Sequence, residues 1–226
     1  MDPKKLFFDQ RQSGYCAYCG NWPTTRDHVP SRVLLDEPFP DNLPVVPACD
    51  ACNNGFSVDE VYVACLIECA LTGGAEKVSR EKISRILKGS PHLAATIADA
   101  KQVDAEGSTI WQADQERVRN VILKLARGHV MYEVAETCHE EPEGWNCVAR
   151  PMMSSEQLTR FEAVPMFTVW PEIGSRAFIR AATGFGPFTQ NGWEVIQPGR
   201  YRYLVDHGTM SVRICLSEYI ACEVWW

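Results

Sequence analysis

Residues 14–60 read GYCAYCGNWPTTRDHVPSRVLLDEPFPDNLPVVPACDACNNGFSVDE. The stretch contains two C-x2-C pairs, Cys16/Cys19 and Cys49/Cys52, with 29 residues between them. Two residues between thiolates let both sulfurs of a pair reach one tetrahedral ion, and two such pairs complete a four-cysteine zinc site. Gly20, directly after the first pair, fits the tight turn of a zinc knuckle. A redox pair or four unrelated core cysteines are the alternatives, and the paired spacing favours structural zinc.

The composition is that of a globular protein with an acidic balance. The chain has 226 residues, 46% of them hydrophobic, and its 22 Lys+Arg against 29 Asp+Glu give a net charge of −7. No apolar run approaches the roughly 20 residues of a membrane span, and the acidic balance argues against a general nucleic-acid coat protein. Residues 1–10 lack the pattern of a secretory signal, so we expect a reducing cytoplasm. In that compartment the ten cysteines are expected to be metal ligands and buried small hydrophobes rather than a disulfide framework.

Between and after the cysteine pairs lie three further motifs. Arg26-Asp27-His28-Val29-Pro30 comes first, Asn42-Leu43 follows, and Asn53 stands directly after Cys52. In this order the motifs resemble the HNH endonucleases with a ββα-metal fold, in particular small bacterial HNH proteins that read CxxCG…TRDHVP…NL…VPACxxCN…SxDE. The resemblance covers residues 14–60, about a fifth of the chain. It aligns His28, Asn42 and Asn53 with the three positions that give the family its name.

The resemblance implies hydrolysis of DNA phosphodiester bonds that leaves 5′-phosphate and 3′-hydroxyl ends. Such hydrolysis needs an activated water, a cation that balances charge on the phosphorane, and help for the leaving oxygen. His28 is the expected general base, because the ordinary pKa of imidazole lies near neutrality. Asp27, on the other side of the same strand, and Asn53 are the expected ligands of a catalytic Mg²⁺ or Mn²⁺. Asn42 is expected to hold the loop through side-chain-to-backbone hydrogen bonds.

Each of these residues also has an ordinary structural interpretation. An Asp-His pair is commonly a turn or a buried histidine, Asn53 could cap a helix, and Asn42 could be a turn residue. The zinc pairs that frame them favour the functional interpretation. Two positions depart from the family pattern. Phe56 stands where many members carry a lysine, and Phe39-Pro40-Asp41 stands where many carry Gly-Gly.

DNA is the expected partner although the first part of the chain is acidic. Residues 1–70 carry five basic and ten acidic side chains, so local basic groups must offset the repulsion of the phosphate backbone. The candidates for nucleic-acid binding lie beside the motif and on a predicted basic helix: Arg26, Arg32, Lys82, Arg85 and Lys88. A basic helix is also commonly a solvated face.

The whole chain is predicted to be α+β, with a zinc-stapled ββα-metal module at residues 1–72, a helical region at 73–144 and a β-rich C-terminal region of unknown role at 145–226. Apolar spacings of three and four predict helices at 57–72, 76–88, 92–100, 112–136 and 154–161. Short β-branched or aromatic segments predict strands of an antiparallel sheet at 145–150, 167–169, 177–182, 201–206, 211–216 and 219–225.

The six remaining cysteines lack the ligand pattern of the two pairs. Cys65 and Cys69 lie four apart on an apolar helix face, where core packing is expected. Cys138-His139 with Cys147 could begin a second metal site, but the spacing is irregular and a fourth ligand is missing.

Two other functions are consistent with the sequence. One is a non-catalytic zinc-binding adaptor on an HNH scaffold, which the acidic charge favours. Such an adaptor has no use for Asp27, His28 and Asn53 together, which opposes it. The other is a nuclease that is active only with a protein partner that supplies basic surface.

Overall fold

The computed structural model describes residues 14–41, 43–103, 105, 107, 109–166, 169–183, 189–190 and 192–226. In this part of the chain the helices are α1 (Asp50–Gly55), α2 (Ser57–Thr72), α3 (Glu81–Gly89), α4 (Pro91–Asp99), α5 (Gln115–Val134), α6 (Ser155–Glu162) and α7 (Arg176–Thr183). The strands are β1 (Thr25–His28), β2 (Val45–Ala48), β3 (Lys101–Val103), β4 (Thr109–Trp111), β5 (Gly144–Ala149), β6 (Thr189–Gln190), β7 (Trp193–Gln197), β8 (Tyr201–Asp206), β9 (Ser211–Leu216) and β10 (Ile220–Trp225). The fold is mixed α/β, as predicted.

The chain forms two compact units. The first contains the described residues up to Phe56 together with Ile122–Trp226, and the second is Ser57–Val121. The division of the sequence into three segments at residues 72 and 144 stays a prediction.

No helix in the described part of the chain combines the length and the apolar content that crossing a membrane requires.

The first unit begins with a ββα arrangement. Strands β1 and β2 pair antiparallel, with Asp27 opposite Val46 and His28 opposite Val45, and α1 follows β2 after a single residue, Cys49. Along β1 the exposure alternates, so that Asp27 is buried while His28 is half-buried. This is the period-two alternation of a strand whose one side faces a core.

In the described part of the first unit, six antiparallel strands form the main sheet, in the order β5-β10-β9-β8-β7-β6. Helix α5 packs on one face, where the His129 ring stacks on Tyr203 with centroids 3.6 Å apart and His129 Nε2 lies 2.7 Å from the Tyr201 hydroxyl. Burial lowers the pKa of His129 well below its ordinary value, with a further contribution from the positive charge of Lys124. On the other face, Phe161 of α6 belongs to an apolar cluster with Trp193 and other sheet residues.

A buried charge network ties α5 to α7 and to the sheet. Glu133 is fully buried, accepts a hydrogen bond from the Tyr203 hydroxyl at 2.5 Å, and pairs with Arg176 at 3.3 Å and Arg180 at 2.8 Å. Burial opposes ionisation of Glu133, but the guanidinium groups of Arg180 and Arg176 outweigh it and hold the Glu133 pKa below its ordinary value. Arg180 also pairs with Glu194. The paired carboxylates therefore offset the cost of burying the two arginines.

The second unit is built around α2, which is buried along most of its length. Arg80 pairs with Glu68 at 3.6 Å, and both side chains are more than nine-tenths buried. The Tyr62 hydroxyl accepts a hydrogen bond from the Asp114 backbone N–H at 2.9 Å, and Asn120 donates to Asp59 at 2.6 Å. Strands β3 and β4 add a short antiparallel pair.

The structure confirms the predicted helix 57–72 and the predicted strands 145–150, 201–206, 211–216 and 219–225 to within one residue at each end. The predicted strand 177–182 is wrong, because these residues lie in α7. Arg176 and Arg180 lie four apart and therefore on one helix face, where both reach Glu133. The Ser175 hydroxyl accepts from the Phe178 N–H at 3.0 Å and starts the helix. The predicted strand 167–169 lies largely outside the described residues.

Helix α5 approaches β1 closely at Gly128. A Cβ built on Gly128 would lie 2.6 Å from Cγ2 of Val29, the fully buried residue directly after β1. The Val29 side chain is β-branched and its N–H is bonded to the Pro44 carbonyl at 2.9 Å, so it has little freedom to move away. The absence of a side chain at Gly128 is what allows the helix to pack against the end of β1.

We predict that Gly128→Ala destabilises the protein although alanine is the better helix former. Overpacking of a fitted contact costs about 1–3 kcal/mol, which outweighs the gain of roughly 1 kcal/mol in helix propensity. Urea unfolding followed by tryptophan fluorescence measures the change. Gly89→Ala, at the end of α3 with open space around the new methyl group, is the control and leaves stability within about 0.5 kcal/mol. Equal stability of Gly128→Ala and wild type would contradict the packing.

Candidate metal and catalytic centre

Four cysteine sulfurs meet at one point of the ββα arrangement. The Sγ atoms of Cys16, Cys19, Cys49 and Cys52 all lie within 4.8 Å of one another, and those of Cys19 and Cys49 are 3.7 Å apart. Tetrahedral zinc with Zn–S bonds of about 2.3 Å separates its sulfurs by about 3.8 Å. The sequence prediction that both pairs converge on one site is confirmed, and four thiols in this arrangement fit a single zinc ion.

The backbone at each cysteine pair turns sharply, at Gly20 after the first pair and at the start of α1 in the second. Gly20 has φ +74°, a conformation that glycine adopts without strain, and its N–H bonds the Cys16 carbonyl at 3.0 Å. Cys49 stands at the N-terminus of α1, and the Cys52 backbone N–H at its sulfur lowers the Cys49 pKa to about 7. By contrast, burial raises the pKa of Cys52. The start of α1 therefore favours the thiolate form of Cys49, which is the form that binds a metal ion.

A distant residue of the first unit supports the first cysteine pair. His139 Nε2 lies 3.1 Å from the Cys16 carbonyl oxygen, and its ring lies 2.9 Å from the position of a Cβ at Gly20. The imidazole therefore packs over the turn that the glycine makes possible. A side chain at position 20 would displace His139 as well as strain the turn.

The Asp27 side chain, on the buried side of β1, forms an ion pair with Lys124. Its Oδ2 accepts a hydrogen bond from the Tyr18 hydroxyl at 2.6 Å and lies 2.7 Å from the ammonium nitrogen of Lys124. Lys124 belongs to α5 and is 1% exposed, and its Nζ lies 5.9 Å from the ring centroids of both Tyr18 and Phe56. One oxygen of the predicted metal ligand is thus already bonded to two donors.

His28 presents its ring on the other side of β1, next to Arg32. The nearest guanidinium nitrogen of Arg32 lies 3.3 Å from His28 Nε2. A guanidinium can only donate, so a hydrogen bond between the two groups forms when His28 Nε2 carries no proton. Both side chains reach solvent. The structure therefore brings together an imidazole and a guanidinium on the solvent-reaching side of β1.

Asn53 belongs to α1, and its side chain reaches the backbone of β1. Its amide nitrogen points to the Arg26 carbonyl oxygen at 3.4 Å, which turns the amide oxygen away from the strand backbone. Since Arg26 directly precedes Asp27, the predicted Asp27, His28 and Asn53 do belong to one small region. Asn42 lies outside the described residues, so its predicted role stays a prediction.

The candidate nucleic-acid-binding residues lie in both units. Arg26 and Arg32 of the first unit are exposed. Lys82, Arg85 and Lys88 lie on α3 of the second unit, and Arg85 pairs with Glu81 at 3.0 Å in an exposed i,i+4 bridge. Their part in nucleic-acid binding stays a prediction.

Three residues of the centre were not predicted from the sequence: Tyr18, Lys124 and His139. Tyr18 lies between Cys16 and Cys19, and the C-x2-C pattern specifies only its two cysteines. The position of Lys124 in the sequence does indicate a special role, because this lysine interrupts an apolar run on a predicted helix, Val121-Ile122-Leu123 and Leu125-Ala126. A charged residue in such a run calls for a buried partner. His139 follows Cys138, and its sequence context indicates a ligand of a second metal site rather than a support for the first cysteine pair.

Comparison with family models, with curated proteins and with solved structures finds nothing that matches this chain. The fold and the cysteine cluster define a mixed α/β protein whose ββα arrangement carries a candidate four-cysteine metal centre.

We predict strong coupling between Asp27 and Lys124 in stability. Removal of one member of a buried pair leaves an uncompensated charge, which costs about 3–5 kcal/mol. Asp27→Asn and Lys124→Met should each lose roughly this much, while the double variant should lose less than the sum by 1.5 kcal/mol or more, on the order of coupling energies between contacting residues. Urea unfolding of all four proteins measures the coupling.

The exposed pair Arg85–Glu81 provides the control for this cycle. Its side chains are 75% and 89% exposed, so its own cycle should give a coupling of only about 0.3–0.5 kcal/mol. Additive losses at Asp27 and Lys124 would contradict the pair.

Proposed function

We propose that this protein is a metal-dependent endonuclease of the HNH type that hydrolyses phosphodiester bonds in DNA. The observation that carries the proposal is the position of Asn53. Its amide nitrogen lies 3.4 Å from the Arg26 carbonyl, so the residue after the second cysteine pair is next to the strand that carries Asp27 and His28. Asn53 and the segment that begins at Arg26, 27 positions apart in the sequence, are thus neighbours on a frame that four cysteines can close with zinc.

His28 acts as the general base in this proposal. When Arg32 turns to the phosphate, His28 Nε2 is released from its contact with the guanidinium, and an unprotonated ring nitrogen that reaches solvent can take the proton of an attacking water. Arg32 is exposed and carries a planar fork of donors that matches phosphate oxygens. It binds the scissile phosphate beside the base and so places the phosphorus near the water.

The catalytic ion is expected to be Mg²⁺ or Mn²⁺. Both ions prefer oxygen donors, and the Asn53 amide oxygen and the Asp27 carboxylate supply them. Asp27 Oδ2 is bonded to Tyr18 and Lys124, so Oδ1 is the atom that fits the ion. When bound, the ion balances the negative charge of the phosphorane. Tyr18 and Lys124 then hold the carboxylate in a fixed orientation, as outer partners of metal ligands generally do.

The acidic balance of the chain bears on the substrate. With four thiolates on one zinc ion the charge of the first 70 residues falls by a further two. Arg26 and Arg32 supply local positive charge, and α3 or a protein partner supplies more in this proposal. Weak binding to naked DNA follows, with a shallow salt dependence, because few phosphates are neutralised.

The structure also gives support to a second candidate function, a zinc-binding adaptor without cleavage. The Asp27–Lys124 pair is 2.7 Å long and the lysine is 1% exposed. In that case the role of Asp27 is structural: it neutralises the buried Lys124 and binds no metal ion. His28 and Asn53 would then be surface residues, and only the zinc frame and the C-terminal sheet would have a function.

Nicking of supercoiled plasmid at low salt tests the proposal. We predict cleavage by the purified protein with Mg²⁺ or Mn²⁺ and none with EDTA. Loss of a general base lowers such a rate by about 10²–10⁴-fold, and this loss is expected for His28→Ala. End analysis should give 5′-phosphate and 3′-hydroxyl termini. Arg32→Gln should weaken DNA binding and slow cleavage together.

His92→Ala is the matched control, because His92 is an exposed histidine of α4 in the second unit. It should cleave like wild type. Cleavage by His28→Ala at the wild-type rate would contradict the assignment of the base. Absence of cleavage with either metal, also in a complex purified from the native host, would favour the adaptor.

A further inference from the structure

A second pair of cysteines lies in the main sheet, apart from the four-cysteine cluster. Cys147 on the edge strand β5 is directly opposite Cys222 on β10 in the antiparallel register. Their sulfur atoms are 3.1 Å apart. Neither cysteine belongs to the candidate metal cluster of the described residues, and the proposed function uses neither.

The register of the two strands suits a covalent bond between these residues. Directly opposed residues on antiparallel strands have Cβ atoms about 4.5–5.5 Å apart. A disulfide needs a Cβ separation of about 3.5–4.5 Å and an S–S bond of about 2.05 Å. Rotation of the two side chains and a small approach of the edge strand are therefore sufficient, and no change of register is required.

The two thiols differ in their environment. Cys147 is half-buried at the edge of the sheet, whereas Cys222 is 1% exposed. Burial raises the pKa of the Cys222 thiol well above its ordinary value, and the neighbouring Cys147 adds to the effect. A reagent from solvent therefore meets Cys147 first, and Cys222 can react only with a group already attached to its neighbour.

We propose that Cys147 and Cys222 are a redox-active dithiol that is oxidised to a disulfide by small-molecule disulfides such as oxidised glutathione. The Cys147 thiolate attacks one sulfur of the oxidant, the S–S bond of the oxidant breaks, and one glutathione leaves as a thiolate that takes a proton. Cys222 then gives up its proton and attacks the Cys147 sulfur of the mixed disulfide, and the second glutathione leaves. The protein loses two protons and two electrons, that is, two hydrogen atoms, and the oxidant gains them as two molecules of reduced glutathione.

Oxidation would fasten the edge of the sheet. Among the described residues β5 has one neighbouring strand, β10, so a bond between the two strands removes the freedom of this edge to separate. The bond also closes a long loop of chain between residues 147 and 222, which restricts the unfolded state. Since β5 follows the segment that carries His139, the same bond limits the movement of a residue that packs on the first cysteine pair.

The test uses the full-length, reduced and zinc-loaded protein, incubated with oxidised glutathione and then alkylated. Intact mass and non-reducing peptide mapping identify the products. We expect the loss of two hydrogens, two fewer reactive thiols, a Cys147–Cys222 cross-linked peptide and no retained glutathione. The melting temperature should rise by about 5–10 °C and fall back on reduction.

Two variants sharpen the result. Cys222→Ser should stop at a stable mixed disulfide of Cys147 with glutathione. Cys215→Ser, a buried cysteine of the neighbouring strand β9, should form the same cross-link as wild type. Retention of glutathione on wild-type Cys147, a cross-link between other cysteines, or no reaction at all would overturn the proposal. The wild-type mass map decides even where a variant fails to fold, and none of these results depends on nuclease activity.

Discussion

The ion pair between Asp27 and Lys124 joins the two halves of the first unit. Lys124 reaches the ββα arrangement from α5, the helix that also packs on the main sheet through His129 and Glu133. A buried ammonium needs a partner, because the cost of its desolvation otherwise exceeds any gain. Asp27 supplies the charge and Tyr18 a further hydrogen bond. Together with the pairing to β2, this pair directs the Asp27 side of β1 toward α5, and His28 lies on the other side of the strand.

The same pair places two demands on one carboxylate. As the partner of Lys124, Asp27 stabilises the fold, and as the expected metal ligand it must offer an oxygen to a cation. The two roles are compatible because a carboxylate has two oxygens, and both donors use Oδ2. The positive charge of Lys124 nevertheless repels a divalent ion nearby. A weak catalytic site that acquires its ion together with the phosphate of the substrate is consistent with this arrangement.

The sequence predicted those features that depend on local spacing. The two cysteine pairs converge as their spacing indicates, and α2 has the bounds that its apolar periodicity indicates. The strand predicted at 177–182 is a helix, because Arg176 and Arg180 bind Glu133, a residue more than forty positions earlier. Lys124 and His139 likewise act on residues about a hundred positions away. No local pattern records such partners, although a lysine in an apolar run shows that one is required.

The most direct test of the central claim is a metal titration of the zinc-loaded protein. Elemental analysis should give one tightly bound zinc per chain, and electron paramagnetic resonance should then detect one additional, weak Mn²⁺ site. Asn53→Ala should lose the Mn²⁺ site and keep the zinc, while Asn54→Ala, at the exposed neighbouring position, should keep both. One zinc with no Mn²⁺ site, or a Mn²⁺ site that Asn53→Ala leaves unchanged, would contradict a catalytic metal centre beside His28.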